Sequence, residues 1–510
     1  MTDKTTNEGA KDHLIYDILV IGGGINGAGI ARDAAGRGYS VCLCDASDFG
    51  GGTSSASTKL IHGGLRYLEH YEFRLVREAL KERETLWKIA PHIIWPMRFV
   101  LPYHKGLRPA WMLRLGLFLY DTLAPGQILP GTRRVDLKHD ETGAPLKSKF
   151  NTAFEYSDCW VEDSRLVILN LRDAHEHGAK ILPHTRAENA HYDNGVWSAV
   201  LTHSPSQTKT TIKARTIVNA AGPWVDEVLK SVFGRNNAAN VRLVRGSHIV
   251  IRKKFEHERA YIFQGIDGRV VFAIPYEHDY TLIGTTDVEH GDGMQPPKIT
   301  PDELKYLCTL ASDYFKSPVT SDDVAWTYSG VRPLFNDGAT KAQDATRDYV
   351  IRRDKHVGEG TLINIFGGKI TTYRKLAEAL LDEVGSLIGK KRGAWTSKAC
   401  LPGGDFDVRG FDKLVGEYHT LFSFVPKDVL ARWVRLYGTQ SAEMVKDAKS
   451  LGDLGEDFGH GLYEAEVRYL LNMEWAHCAE DVLFRRTKLG IRMSKEAIEH
   501  LDVWITKNNL

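Results

Sequence analysis

The apolar positions near the N-terminus change their period within one short stretch. "YDILVIGGGINGAGIARDAAGRGYSVCLCDA" begins with an apolar run, passes through a glycine-rich turn, continues with helical spacing and ends in a second apolar run. This pattern predicts strand, helix and strand: Asp17 to Ile21, about Asn26 to Arg37, and Tyr39 to Cys44. A longer helix is predicted in "EFRLVREALKERETLWKIA", where apolar residues recur every three to four positions.

Strand patterns dominate the middle of the chain and helical patterns its end. "KARTIVNAAG", "GSHIVIR", "RVVFAIPY" and "YTLIGTTD" are typical of strands, and "GPWVDEVLKSVF" and "PDELKYLCTLASDYF" of the helices between them. From about Trp395 onward, "DVLARWVRLYG" and "YEAEVRYLLNMEWAHCAEDVLFRRTKLG" are helical. We therefore predict an α/β protein with a Rossmann-like, doubly wound domain, an antiparallel-sheet domain and a C-terminal α-helical domain.

Composition narrows the class of protein. The 510 residues are 43% hydrophobic and 26% charged, with a formal net charge of +1. This is typical of a soluble globular chain with two or three domains, and it argues against a dedicated nucleic-acid binder, which would be basic. The polar start "MTDKTTNEGAKDH" lacks the apolar core of a secretory signal, and no apolar run is long enough to predict a transmembrane helix.

The glycine-rich turn carries a dinucleotide-binding pattern. Gly22, Gly24 and Gly27 form GxGxxG directly after an apolar strand, with Ile25 and Asn26 at the start of the helix. Glycines allow the tight turn and let backbone N–H groups approach a pyrophosphate at the helix N-terminus. Asp45 ends the next predicted strand, where a carboxylate can accept hydrogen bonds from a ribose. The pattern predicts dinucleotide binding and leaves NAD and FAD open.

Three further segments favour FAD. A hydroxyl-rich loop follows Asp45, "TIVNAAGPWVDEV" ends a strand before a helix, and "NIFGGKITTYRKLAE" places Gly-Gly before another helix, whose N-terminus would stabilise an anionic reduced flavin. Nucleotide-binding segments scattered so widely are unusual for a contiguous NAD domain. The predicted FAD-contacting residues in these segments are Thr53, Ser54, Ser55, Lys59, Leu60, His62, Gly63, Gly64, Ala221, Gly222, Gly368, Lys369, Ile370 and Thr371.

Taken together, these motifs resemble a known family. "IGGGINGAGIARDAAGRG", "TSSASTKLIHGGLRYLEHYEFRLV", "FEYSDCW", "NAAGPW", "GSHIV", "IGTTD", "WTYSGVRPL", "FGGKITTYRKLAE" and "LGEDFGH" are similar to segments of the respiratory, FAD-dependent (aerobic) glycerol-3-phosphate dehydrogenases of bacteria. The resemblance implies that sn-glycerol 3-phosphate is oxidised at C2 to dihydroxyacetone phosphate, with hydride passing to flavin N5. It also implies that the electrons then pass to a membrane quinone, ubiquinone or menaquinone.

The resemblance also assigns site residues. It places Arg66, Tyr67, Arg332 and Lys369 in contact with the substrate, where cationic donors suit a phosphate dianion. His248 is the leading candidate for the base that removes the hydroxyl proton, so that His248, Arg332 and Lys369 form the predicted catalytic group and His248 also contacts substrate. His62 is the alternative base. Flavin hydride chemistry needs no metal, and none is predicted.

One apolar segment suggests a contact with a membrane. "PAWMLRLGLFLYDTL", Pro109 to Leu123, is too short to span a bilayer but suits a helix lying in the interface, near Lys105, Arg108 and Arg114. A buried core helix would have the same pattern. The resemblance implies a peripheral protein on the cytoplasmic face of the inner membrane, in contact with the membrane lipid surface, and we expect a homodimer.

These inferences give a domain division and leave two alternative functions. We assign residues 15–90, 150–240 and 355–390 to a discontinuous FAD-binding domain, 91–149 and 241–354 to a substrate-binding and membrane-contact domain, and 391–510 to the helical domain. An oxidase of the same fold that reduces oxygen is one alternative. A non-catalytic flavin-binding membrane scaffold is the other, and the predicted cationic cavity argues against it.

Overall fold

The computed structural model describes residues 15–65, 68, 71–123, 128–291, 296–336, 348–354 and 360–508. Two β-sheets dominate this part of the chain. In chain order the strands are β1 (Ile15–Ile21), β2 (Val41–Cys44), β3 (Leu60–Ile61), β4 (Ile94–Pro102), β5 (Arg133–Asp136), β6 (Thr152–Val161), β7 (Lys180–Leu182), β8 (Thr185–Asp193), β9 (Val196–His203), β10 (Thr208–Asn219), β11 (Val241–Arg252), β12 (Ala260–Gln264), β13 (Val270–Tyr276), β14 (Tyr280–Gly284), β15 (Val288–Glu289), β16 (Val324–Phe335), β17 (Val350–Arg353) and β18 (Thr361–Phe366).

Eleven helices accompany the sheets in the described part of the chain. They are α1 (Ile25–Arg37), α2 (Phe73–Ile89), α3 (Ala110–Thr122), α4 (Asp163–Glu176), α5 (Val225–Ser231), α6 (Pro301–Tyr314), α7 (Tyr373–Ile388), α8 (Phe411–Leu421), α9 (Lys427–Tyr437), α10 (Glu464–Glu474) and α11 (Lys495–Asn508). Among these described helices, none has both the length and the apolar composition that crossing a bilayer requires.

The first sheet has a parallel centre. Its order is β17-β18-β10-β1-β2-β7; the five strands from β18 to β7 are parallel, and β17 pairs antiparallel with β18. The β8–β9 hairpin extends it through an antiparallel pairing of β9 with β10. Strand β1 is buried from Asp17 to Ile21, as expected for a parallel strand covered on both faces. Helices α4 and α7 pack against α1 over one face.

The second sheet is antiparallel apart from the pairing of β4 with β12. Its order is β15-β11-β14-β13-β12-β4-β6-β3, with β16 on β11 and β5 on β6. One face packs on α6, where Leu307 meets Ile249 in a buried cluster. The other face packs on α2 and α3 around Val250 and Tyr276. Because side chains alternate along a strand, His248 shares the face of Val250, which is the α2–α3 side.

The predicted fold class is confirmed, with the Rossmann-like element where the first apolar pattern placed it. One helical prediction was wrong in extent. The long pattern ending in "RRTKLG" does not form a single helix, because α10 ends at Glu474 and Trp475 takes a left-handed conformation. A short π-helix, Asp481–Arg486, follows.

The domain division stays a prediction, and three strands bear on its boundaries. Strands β3 and β6 lie within 15–90 and 150–240, which we assigned to the FAD-binding domain, yet they pair with each other in the second sheet. Strand β17 lies within 241–354, which we assigned to the substrate-binding domain, yet it pairs in the first sheet. Strand β6 pairs with β4, far away in sequence, and β17 joins the first sheet through β18, which itself pairs with the distant β10; a local pattern does not reveal these long-range pairings.

Candidate functional site

The glycine turn has the shape that its sequence pattern predicts. Gly22 has φ of 111°, and a Cβ there would lie 2.6 Å from the carbonyl oxygen of Ala220 in the neighbouring chain segment. A Cβ on Gly27 would lie 1.9 Å from the carbonyl oxygen of Gly22. A side chain at Gly22 would therefore push the turn away from the end of β10, and one at Gly27 would push α1 away from the end of β1.

The N-terminus of α1 is open to an anion. Ile25 donates its backbone N–H to the hydroxyl of Ser54 at 3.0 Å, so the predicted hydroxyl-rich loop crosses this helix end. The first turn of α1 contains no acidic residue and its N-cap, Gly24, offers no side-chain acceptor. The positive end of the helix dipole is therefore not neutralised from within the helix.

Asp45 lies beside the turn and keeps acceptor capacity. One of its oxygens accepts the backbone N–H of Gly23 at 2.6 Å, and the other accepts two donors from Ser47. A carboxylate has about four acceptor positions, so a ribose hydroxyl could still donate to Asp45. Burial raises the pKa of Asp45 above its ordinary value, against the hydrogen bonds from Ser47 and Gly23.

Hydrogen bonds join three segments that are far apart in sequence. The side-chain amide of Asn26 donates to the carbonyl of Gly367 at 3.1 Å, and the backbone N–H of His62 donates to the hydroxyl of Thr371 at 3.2 Å. A Cβ on Gly368 would lie 2.9 Å from Asn26, so this loop needs glycine to approach α1. The GxGxxG turn, the loop after β3 and the loop after β18 therefore surround one space.

The other predicted FAD-contacting residues lie around these segments in different settings. Thr53 donates its hydroxyl to the carbonyl of Val331 at 2.5 Å, and Lys59 is buried in an ion pair with Asp163 at 2.8 Å. Gly63 donates its N–H to the hydroxyl of Tyr120 at 2.8 Å. The remaining positions are Ser55 in a 3-10 turn, Leu60 in β3, Gly64 with φ of 75°, Ala221 and Gly222 after β10, and Ile370 before α7.

His248 lies at the boundary between this space and the second sheet. Its Nε2 is 3.0 Å from the hydroxyl oxygen of Thr58, and its ring stacks on that of Tyr328 with centroids 4.6 Å apart. Tyr328 in turn donates its hydroxyl to the carbonyl of Ser57 at 2.8 Å. The Nδ1 atom of His248 is buried and has no hydrogen-bond partner among the described residues. The ring is therefore held at one nitrogen, and the other nitrogen is not satisfied.

The environment of His248 favours the neutral imidazole. The residue is 1% exposed, and burial lowers its pKa well below the ordinary value, followed by the charges of Arg332 and Lys59. Asp163 acts in the opposite direction. At neutral pH the imidazole therefore carries no charge and one of its nitrogens can accept a proton.

Arg332 lies on the same sheet face as His248. On β16, Tyr328 pairs with His248 and Arg332 with Val244 of β11, so the two functional side chains are four residues apart along the paired strands. Arg332 forms an ion pair with Asp287 and donates to the hydroxyl of Thr285 at 3.0 Å. The Arg332 side chain is 34% exposed, and its guanidinium has five N–H donors, more than these two partners use.

Glycine makes room for this arginine. A Cβ on Gly246 would lie 2.5 Å from Nη2 of Arg332 and 2.6 Å from the hydroxyl of Thr285. Lys369 lies in the loop between β18 and α7, half-buried, and its carbonyl accepts the N–H of Thr372. Two other predicted substrate contacts, Arg66 and Tyr67, lie outside the described residues.

Sequence reasoning missed four residues of this site: Thr58, Tyr328, Asp287 and Asp163. Tyr328 could have been found, because it precedes Arg332 by an even number of positions on one strand and shares its face. Asp287 stands in the motif "IGTTD", where an acid next to a predicted cationic cavity was a usable signal. Thr58 and Asp163 depend on tertiary contacts, which have no local signature.

One cluster in the described residues has atoms spaced for a metal ion. Oxygen and nitrogen atoms of Asp48, His184 and Asp481 lie within 4.8 Å of one another. Both carboxylates already bind arginines, Asp48 with Arg486 and Asp481 with Arg485. Since these cations neutralise the charge that would attract a metal, the cluster gives no support to a metal site, and the absence of a metal stays a prediction.

The residues around the space fit FAD. The open helix end and the glycine turn suit a pyrophosphate, and Asp45 suits the adenosine ribose. The buried Oδ1 of Asn26 has no partner among the described residues, so it could accept a cofactor hydroxyl. FAD, unlike FMN, contains the ADP group that this arrangement accommodates.

Comparison with known proteins agrees with this fit. The family model of FAD-dependent oxidoreductases matches residues 17–369, and that of the C-terminal domain of alpha-glycerophosphate oxidase matches residues 394–506. Similar chains include a D-erythritol 1-phosphate dehydrogenase of Brucella abortus, 47% identical over 97% of this chain and 98% of the relative. A glycerol-3-phosphate dehydrogenase of Pseudomonas aeruginosa is 47% identical, over 94% and 93% of the two chains. An aerobic glycerol-3-phosphate dehydrogenase of Escherichia coli is 44% identical, over 96% and 97%.

A solved structure extends the comparison to the whole fold. The glycerol-3-phosphate dehydrogenase of Bacillus halodurans in complex with FAD has a TM-score of 0.78 and 28% identity, covering 99% of this chain and 92% of that one. The prediction of FAD as the cofactor is confirmed. The chain belongs to the FAD-dependent glycerol-3-phosphate dehydrogenase family.

Proposed function

We propose that this protein oxidises sn-glycerol 3-phosphate at C2 to dihydroxyacetone phosphate and passes the electrons to a membrane quinone. The observation that carries the proposal is the pairing of His248 and Arg332 on one sheet face, beside the space enclosed by the FAD-contacting segments. A neutral base and a cationic donor are the two groups that dehydrogenation of a phosphorylated alcohol needs.

Bound FAD would supply the hydride acceptor, at N5. The GxGxxG turn and Asp45 would hold its ADP half, and the loops ending at Gly64 and beginning at Gly367 would hold its flavin half. Helix α7 begins at Tyr373, close after the second of these loops. Its N-terminus would add positive potential to that side of the site.

His248 would take the proton of the C2 hydroxyl at Nδ1. Its Nε2 faces the hydroxyl of Thr58, so the tautomer protonated on Nε2 donates to Thr58 and leaves Nδ1 as an acceptor. Stacking on Tyr328 fixes the ring plane. This arrangement favours His248 over the alternative base, His62, whose backbone N–H donates to the hydroxyl of Thr371 and so suits a cofactor contact.

Arg332 would bind the phosphate, with help from Lys369, Arg66 and Tyr67. A guanidinium matches the geometry of phosphate oxygens, and Arg332 keeps donors beyond those that Asp287 and Thr285 use. Substrate binding would also weaken the effect of the Arg332 charge on His248, because the phosphate neutralises it. The base would then become stronger when the substrate is in place.

A dehydrogenase is better supported than an oxidase. The relatives with 44% to 47% identity carry dehydrogenase names. The alpha-glycerophosphate oxidase of Mycoplasma pneumoniae shares the fold, at 16% identity and a TM-score of 0.58, and supports nothing beyond it. A non-catalytic scaffold would not require His248 and Arg332 on one sheet face beside the cofactor site.

The longer polyol phosphate D-erythritol 1-phosphate is a second candidate substrate. The relative from Brucella abortus that bears this name matches at 47% identity over nearly the full length of both chains, as closely as any glycerol-3-phosphate dehydrogenase named above. Both compounds present an alcohol near a phosphate, so the described residues of the site suit either one.

Helix α3 supports the proposed membrane contact. Only Leu117 and Tyr120 are buried on it, whereas Trp111, Leu115 and Phe118 are 64%, 51% and 62% exposed. The three exposed residues recur at helical spacing and so form one apolar face. A helix with such a face can lie in the headgroup region of a membrane. We propose attachment to the cytoplasmic face of the inner membrane and a homodimeric state.

Anaerobic reduction of the bound flavin tests the proposed function. The protein is mixed with glycerol 3-phosphate, D-erythritol 1-phosphate, free glycerol and free erythritol, and loss of flavin absorbance is followed. We expect rapid bleaching by glycerol 3-phosphate and none by the free polyols. Faster bleaching by D-erythritol 1-phosphate would make that compound the substrate, and peroxide formation in air at the rate of quinone-analogue reduction would indicate an oxidase.

A further inference from the structure

Two arginines from the C-terminal helical domain reach a buried carboxylate in the nucleotide-binding region. Asp48 accepts two hydrogen bonds from Arg486, both at 2.8 Å, and one from Arg485 at 2.5 Å. Asp48 is 3% exposed and Arg486 is fully buried. Although burial raises the pKa of Asp48, the charges of Arg486 and Arg485 hold it below its ordinary value, so the pair is ionised.

Asp48 belongs to the loop of residues 45–50, which holds the GxGxxG turn from one side. At the start of this loop Asp45 accepts the N–H of Gly23, and at its end Gly50 donates its N–H to the carbonyl of Gly23 at 3.2 Å. The same glycine is therefore bonded through both of its backbone groups. Since Asp48 lies between these two contacts, its position determines how the loop meets the turn.

A second contact from the C-terminal domain reaches the same loop. The ring of Phe49 packs edge-on against Trp475, with centroids 5.6 Å apart. Its other side lies against Gly23, where a Cβ would come within 2.4 Å of the Phe49 ring. Trp475 has the left-handed conformation that ends α10, so the break in that helix places the indole against Phe49.

We propose that the C-terminal helical domain sets the affinity for FAD by holding the loop of residues 45–50, through the Arg486–Asp48 pair and the Trp475–Phe49 contact. The domain is then part of the cofactor site although Arg486 and Trp475 act only as positioning residues. This inference goes beyond the proposed function and holds whichever polyol phosphate is oxidised.

The alternative is that the pair merely fastens two domains together. Other ion pairs do this without reaching the loop: Arg492 of the C-terminal domain binds Asp279, between β13 and β14, at 3.1 Å. Asp48, by contrast, lies between residues that bond to the nucleotide turn. Losing one member of a buried pair leaves the other charge uncompensated. We therefore expect the loop of residues 45–50 to shift when either Asp48 or Arg486 is replaced.

Titration of the apoprotein separates the two readings. FAD is removed, and rebinding to the parent, Asp48→Asn and Arg486→Met is followed by quenching of flavin fluorescence. We expect the Kd for FAD to rise by at least about tenfold in each variant, because a buried charged contact is lost. Arg486→Lys, which keeps the charge but not the forked geometry, should fall between these variants and the parent.

A matched control sits inside the C-terminal domain. Glu466 is fully buried and binds Arg432, Trp433 and Tyr437, none of which touches the loop. Glu466→Gln should lower the melting temperature but leave the Kd for FAD within about twofold of the parent. An equal rise in Kd for Glu466→Gln, or an unchanged Kd for Asp48→Asn, would overturn the proposal.

The affinity for ADP distinguishes a local change at the loop of residues 45–50 from a general loosening of the protein. ADP represents the half of FAD that faces the loop, so its affinity as a competitor should fall by the same factor as that of FAD. Weaker FAD with unchanged ADP would contradict the proposed route. If Asp48→Asn and Arg486→Met do not fold, Arg485→Ala at the rim of the pair should raise the Kd in the same direction, and an unchanged value there would also overturn the proposal.

Discussion

The hydroxyl oxygen of Thr58 lies 3.0 Å from Nε2 of His248, and this contact joins the loop after the nucleotide turn to the second sheet. It orients the imidazole by one nitrogen, and an imidazole that donates Nε2–H to Thr58 leaves Nδ1 free to accept a proton. We therefore expect Thr58 to position the proposed base.

Removal of this hydroxyl should slow proton removal without loss of cofactor. In Thr58→Val the Nε2–H of His248 has no acceptor, so we expect the rate of flavin reduction at saturating substrate to fall about three- to tenfold, the worth of one hydrogen bond. Stopped-flow absorbance measures this rate. Thr58→Ser keeps the hydroxyl and should remain near the parent; equal rates for the valine and serine variants would exclude the proposed role.

Arg332 should matter for substrate far more than for flavin. Replacing it with Ala removes a charge-assisted contact worth about 1.5–3 kcal/mol, so kcat/KM for glycerol 3-phosphate should fall at least about tenfold. Arg242→Ala is the control. Arg242 lies on β11, opposite β16, and forms an ion pair with Glu289 of the edge strand β15. Unchanged kinetics for Arg332→Ala would move this residue to a structural role.

The pH dependence of kcat/KM should reflect a weakened imidazole, because this parameter reports the enzyme without substrate. The neutral form of His248 is the proposed base, and burial and the nearby cations lower its pKa well below the ordinary value of 6.5. Lowering the pH through 6.5 should therefore cause no decline in kcat/KM that arises from His248, and such a decline should appear only at lower pH. His248→Asn should retain a slow rate without this decline. A decline centred at or above pH 6.5 in the parent would contradict the assignment.

The apolar face of α3 should hold the protein on membranes. Replacing Trp111 and Phe118 with Ser removes two of its exposed side chains and should shift the protein to the supernatant after centrifugation with anionic vesicles. Activity with a soluble dye should survive, whereas reduction of a long-chain quinone in the vesicles should drop. High salt alone should release only part of the parent protein, since screening leaves apolar burial intact.

Exposed apolar residues elsewhere provide the control for that experiment. Leu421 and Val503 are 69% and 51% exposed on C-terminal helices, and serine at both positions should not change vesicle binding. If the Leu421 and Val503 variant is released as readily as the α3 variant, general surface polarity explains the effect. Loss of FAD from the α3 variant would instead place this helix in the core.

Local features of the site were predictable from the sequence. Gly22 has a positive φ, and Gly27 lies against the carbonyl of Gly22 within one strand–turn–helix unit, so the spacing of these glycines carries this part of the geometry. His248 and Arg332 were reached by family resemblance, and strand pairing then brought them to one face. Their functional roles stay predictions.

Contacts between distant segments were not predictable. Nothing near Asp48 in sequence indicates Arg486, and nothing near Thr58 indicates His248. The long helical pattern at the C-terminus also misled, because periodicity does not reveal that Trp475 takes a left-handed conformation and ends α10. That conformation is imposed by packing, and packing involves partners that a window of sequence does not contain.

The central position of β1 in the first sheet has a consequence for biosynthesis. This strand is made early, yet one of its two neighbours, β10, ends at Asn219, and Asp48 meets its arginine 438 residues later in the chain. At about 5–20 residues per second, Arg486 is synthesised tens of seconds after Asp48. We therefore expect the nascent N-terminal half to expose unpaired strand edges on the ribosome before the C-terminal arginines are available to hold the nucleotide-binding loop.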